Sequence, residues 1–90
     1  MRCFQLTDNG VFRLARRDCS FYSIMIAGAG TCGQVVVRTG RWRIVWATPS
    51  AFTGSFVVDG ACEEGLIVEA HMDGRPLIVV NWREPDRELA

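Results

Sequence analysis

The chain has 90 residues, with ten Arg, no Lys, ten Asp plus Glu, one His and four Cys, and 49% of it is hydrophobic. This length accommodates one domain, which buries only about 60–65% of the surface its unfolded form exposes, so a thin core and stabilisation by self-association are expected. The formal net charge of +0 argues against a domain whose main task is neutralising phosphates, and nucleic acid is not an expected partner. Arginine without lysine reads as a codon effect of a GC-rich genome. The start, Met1 to Gly10, lacks the apolar stretch and small-residue cleavage site of a secretory signal. The weakly polar stretch 21–33 is interrupted by Gly28, Gly30 and Gly33 and is too short to cross a bilayer as a helix, so no membrane role is expected.

Runs rich in Val, Ile, Phe and Trp recur roughly every eight to twelve residues with Gly or Asp between them, and helical periodicity is almost absent. In chain order the predicted strands are 3–7, 11–16, 21–27, 34–38, 41–48, 55–59, 66–72 and 77–83. Three tight connections suggest hairpins. With Asp8-Asn9-Gly10 as a loop, Leu6 meets Phe12 and Phe4 meets Leu14. Thr39-Gly40 sets Val37 against Trp42 and Val35 against Ile44, with Trp46 on the same face and Arg38, Arg41 and Arg43 on the reverse. Thr is a poor first residue for a primed turn, so a slightly longer loop stays open. Asp73-Gly74 sets Val68 against Val79 and Ala70 against Leu77. The expected fold is all-β: one compact antiparallel β-sandwich of about eight strands, with jelly-roll wiring as a candidate. It divides into an N-terminal hairpin (1–18), a body (19–84) and a charged tail (85–90).

The last predicted hairpin is apolar on both faces, since Ile67, Ile78, Val80 and Trp82 lie opposite the core side; Tyr22 and Ile24 give strand 21–27 the same character. A half-solvated antiparallel sheet alternates more cleanly. Either these strands lie between two layers of a strongly closed fold or their outer face meets another chain; in so small a domain the second is favoured, so these six residues are the expected subunit interface, with another copy of the chain as partner.

Other features admit plainer readings. His71 lies between Glu69 and Asp73 at strand spacing, but a lone His beside acids on a strand reads as a surface or interface residue. Cys3, Cys19, Cys32 and Cys62 form no Cys-x-x-Cys pair and read as small buried hydrophobes, with three disulfide connectivities formally open. Gly28 to Gly33 lacks the Gly-Lys-Ser/Thr ending of a phosphate loop. No nucleophile elbow and no paired-His metal motif appears. The chain reads as a non-enzyme without cofactor or metal. Arg38, Arg41 and Arg43 crowd one tip and call for acidic compensation from Glu63 and Glu64 or from the tail acids Glu84, Asp86 and Glu88; solvation without a specific partner is the plain alternative. These three arginines, with Glu84, Asp86 and Arg87 of the tail, are the expected docking residues. Tyr22 and Trp82 are the aromatics for a carbohydrate-binding alternative.

Residues 21–83 are arranged as the strand Phe21-Tyr22-Ser23-Ile24-Met25-Ile26, the small-residue loop 27–31, the strand 34–38, Arg41-Trp42-Arg43-Ile44-Val45-Trp46-Ala47, the segment 55–60 and a terminal strand pair. This layout resembles small β-sandwich proteins encoded among the structural genes of tailed bacteriophages. The resemblance implies a head decoration, head-fibre or tail accessory subunit, often trimeric. Its location would be the virion, assembled in the host cytoplasm, and its partners the major capsid protein or other virion proteins. The chain departs from that class in its many arginines, its four cysteines and its few strand Thr and Ser.

Overall fold

A computed structural model describes residues 1–28, 33–48 and 54–84. Eight strands form, β1 (Arg2–Leu6), β2 (Gly10–Ala15), β3 (Cys19–Gly28), β4 (Gly33–Thr39), β5 (Ile44–Ala47), β6 (Gly54–Cys62), β7 (Leu66–Met72) and β8 (Pro76–Arg83). They pair into two four-stranded antiparallel sheets, in the orders β1-β8-β3-β6 and β2-β7-β4-β5. Every connection except β4 to β5 therefore crosses from one sheet to the other. This is the wiring of a jelly roll, a β-sandwich of two interleaved Greek keys.

The core forms where the inward sides of both sheets meet. Leu6, Phe21, Ile24, Ile26, Ile78, Val80 and Trp82 from one sheet pack on Val35, Val37, Leu66, Val68 and Ala70 from the other. Strand alternation selects these residues, because inward positions recur every second residue on a pleated strand. Trp46 closes the side of the sandwich by packing its ring 5.3 Å from that of Phe56.

Two of the three expected hairpins are instead corners between sheets. Residues 1–18 are not a hairpin: β1 pairs with β8, placing Leu6 beside Ile78, and β2 pairs with β7, placing Phe12 beside Val68. The Asp73-Gly74 turn likewise joins strands of different sheets, so neither Val68 with Val79 nor Ala70 with Leu77 is paired. The two corners are tied together by Asn9. Its Nδ2 donates to the carbonyls of Met72 (2.9 Å) and Gly74 (3.2 Å), and its Oδ1 accepts from the Met72 amide (2.8 Å). A turn-forming Asn thus satisfies backbone groups that a local hairpin would have paired itself. Asn9→Ala is expected to lower the free energy of unfolding by about 1–2 kcal/mol in urea titrations, given three exposed bonds of modest net value.

The third connection does join adjacent strands, but in another register. Val37 faces Trp46 and Arg38 faces Ile44, with an irregularity between them. The Thr39 hydroxyl accepts from the amides of Arg41 (3.1 Å) and Arg43 (3.3 Å), and Trp42 takes φ of 66°. This longer loop avoids placing Thr39 in a primed turn, where its branched Cβ is unfavourable. As a result Trp46 enters the sandwich while Trp42 and Ile44 stay outside.

Candidate functional site

The jelly-roll wiring relocates the expected interface. Ile24, Ile78, Val80 and Trp82 point between the sheets and are buried within the single chain, Trp82 being only 4% exposed. The reason is topological: β8 lies between β1 and β3 rather than beside β7, which turns the side expected to face outward into the inner one. Ile67 does lie on the outer side of β7 but is 1% exposed, in register with Arg13 and Arg38 on either side. Tyr22 stays on an outer face, at an irregularity in β3, with the Arg83 guanidinium 5.2 Å from its ring centroid. Trp82 and Tyr22 accordingly form no exposed sugar platform.

The outer side of β1-β8-β3-β6 is a different surface. The registers place Cys3 and Gln5 of β1, Leu77, Val79 and Asn81 of β8, Ser23, Met25 and Ala27 of β3, and Ser55 and Val57 of β6 on one face. Among the described residues, charge enters this face at one end, through Arg83 and Asp59. Val57 is 71% exposed, and Met25 is exposed beside it. The other outer face carries further apolar groups, Ile44 at 61% and Trp42 at 54% exposure, with Val11 across the sheet. None of these was singled out as surface from the sequence, because in an alternating run such as Gly54–Cys62 either parity of Phe56, Val57 and Val58 could have faced inward.

The tip arginines divide. Arg41 bridges Glu63 (3.1 Å) and Glu64 (3.3 Å), the loop acids anticipated for it, and this raises its pKa, the Glu64 contact most of all. Arg38 is instead held by Glu69 (3.0 Å), whose other oxygen lies 3.5 Å from His71 Nε2. Arg43 is exposed at the same tip. Glu84 is buried in an ion pair with Arg2, so it does not reach the tip arginines, while Asp86, Glu88 and Arg87 lie outside the described residues. Arg13, Arg16 and Arg17 join Arg2 and Glu84 around an open groove, a basic corner built from segments far apart in the chain. Among the described residues, no group of three or more His, Cys, Asp or Glu is arranged to hold a metal ion.

This architecture defines the class: an eight-stranded jelly-roll domain presenting one nearly uncharged sheet face. No family model and no curated protein matches the chain. Among solved structures it is similar to Drosophila NLP-core, at 13% identity and a TM-score of 0.53, over 92% of this chain and 97% of that one. That structure is described in connection with pentamer formation and histone binding. At this identity the similarity shows the fold alone.

Proposed function

We propose that the chain is a structural subunit of a bacteriophage virion, a capsid decoration or minor capsid protein that self-associates and docks on the particle. A tail or connector position is the variant of the same reading. The observation that carries it is the outer face of β1-β8-β3-β6, which holds Met25 and Val57 exposed and, among the described residues, carries charge at one end. Exposed apolar side chains on a face poor in charge mark protein interaction sites. The core is filled from within the chain, so assembly covers this face and is not needed to complete the fold.

Two further points support the reading by architectural analogy. Eight-stranded jelly rolls recur in viral capsid domains. NLP-core, which shares the fold, is described as forming pentamers, so closed rings are compatible with this sandwich. A trimer is the copy number suggested by the layout resemblance. Docking falls to Arg43 and the basic groove, because Arg38 and Arg41 are already matched by acids of the same chain.

Light scattering coupled to size exclusion is expected to show a closed oligomer that persists on dilution into the low micromolar range. Val57→Glu is expected to shift it to monomer while changing folding stability by no more than about 0.5 kcal/mol, as at other exposed positions. A monomeric parent at micromolar concentration would overturn self-association through this face, and so would an oligomer unaffected by the substitution.

A further inference from the structure

Cys19 opens β3 and Cys62 closes β6, and the two are register partners across that antiparallel pair. Both are free thiols and both are buried within the core cluster. Directly opposed residues in an antiparallel ladder have Cα atoms about 4.5–5.5 Å apart, whichever kind of pair they form, and disulfides span about 4.4–6.8 Å. Interaction between the two thiols raises the Cys19 pKa and lowers that of Cys62, while the Cys62 thiol is directed at the Gly60 carbonyl (3.9 Å). Burial adds to the rise at Cys19, and the charges of Cys62, Glu84 and Asp18 add further to it. The interaction thus favours loss of the proton from Cys62 before Cys19, although burial opposes it at both.

We propose that Cys19 and Cys62 form a site for a cross-strand disulfide, closed by a small disulfide oxidant such as glutathione disulfide. When the β3–β6 end opens and exposes it, Cys62 loses its proton and attacks one sulfur of the oxidant, breaking its S–S bond and releasing one glutathione thiolate. Cys19 then loses its proton and attacks the Cys62 sulfur of the mixed disulfide, expelling the second glutathione. Two protein thiols are oxidised to one disulfide, and one glutathione disulfide is reduced to two thiols. Because β6 is at the edge of its sheet, paired among the described residues with β3, the bond fastens the end of an edge strand. On the virion reading, on which this consequence rests, the fastening takes place once a particle leaves a reducing cytoplasm for an oxidising medium. The chemistry itself does not depend on that reading.

The test uses the full chain with Cys3→Ser and Cys32→Ser, so that only the two opposed thiols remain. After incubation with glutathione disulfide, intact mass is expected to fall by two hydrogens with no glutathione attached, and a non-reducing peptide map to link Cys19 to Cys62. The melting temperature is expected to rise by on the order of 10 °C, given the roughly 44-residue loop that is closed, and to return on treatment with dithiothreitol. Stable glutathione adducts on either cysteine, or thiols still unreacted after incubation just below the melting temperature, would overturn the proposal. In the same preparations the mass in solution reports self-association separately, so failure of one idea is distinguishable from failure of the other.

Discussion

Phe21→Ala is expected to lower the free energy of unfolding by about 3–5 kcal/mol, the range for emptying a buried aromatic site. Phe21 is the largest of the fully buried side chains, at 0% exposure. It lies on the inner side of β3, between Gly60 of β6 and Trp82 of β8 in register, facing the opposite sheet. Neighbours on two sheets cannot both move in to fill the space without breaking ladder hydrogen bonds, so most of the cavity remains. Small domains have a total stability near the low end of about 5–15 kcal/mol, so the variant should retain only about 0–2 kcal/mol. Urea titration followed by tryptophan fluorescence and far-ultraviolet circular dichroism measures this. A loss below about 1 kcal/mol would mean that Phe21 is not held between two sheets, and would contradict the strand order described above.

The second large effect is expected from Gly40→Ala, at about 2–4 kcal/mol, although the substitution adds one methyl group to a half-buried loop position. The Gly40 amide points at the 63–65 turn, donating to the carbonyls of Glu63 (2.9 Å) and Gly65 (3.0 Å). A Cβ at this position would fall on the Glu64 carbonyl, which is backbone and cannot swing aside. Either the two loops separate, losing both hydrogen bonds and the Arg41 bridges to Glu63 and Glu64, or the β4–β5 turn distorts. Gly60→Ala is the informative comparison, since its Cβ would meet side-chain methyls, the Cγ1 of Val45 at 3.0 Å and that of Val58 at 3.8 Å, and the nearer can yield by a few tenths of an ångström. Thermal unfolding of the two variants should therefore separate clearly, with Gly40→Ala the less stable. Equal melting temperatures would show that the two loops do not pack backbone to backbone.

The candidate surfaces were legible only in part. Compensation of the tip arginines by the 63–64 acids could be read because Arg41 is charged, exposed and near the start of its strand, and Glu63-Glu64 is an acidic pair in a glycine-bounded loop. Arg38 could not be assigned in this way, because its partner Glu69 is 31 residues away and is brought alongside only by the β4–β7 ladder. The basic groove has the same origin: Arg2 comes from β1 and Arg13 from β2, strands of different sheets. Ile78, Val80 and Trp82 were misplaced for a single reason. A turn such as Asp73-Gly74 reports that the chain reverses but not whether it returns within the same sheet, and the two outcomes place opposite sides of the following strand against the core. The cysteine pair shows this limit most simply, since Cys19 and Cys62 carry no local spacing signal and become neighbours only through the β3–β6 register.

What the sequence determined by itself was the number of strands, their approximate extents and the all-β sandwich class. These depend on local alternation and on turn residues, whose physics acts over a few positions. Tertiary structure alone decided which strand lies beside which, and with it the inward turn of Ile78, Val80 and Trp82, the outward turn of Met25 and Val57, and the meeting of Cys19 with Cys62. Ladder hydrogen bonds have nearly the same energy whichever strands are joined. Partner choice is therefore set by the burial of all eight strands at once, a sum over the whole chain that no local window contains.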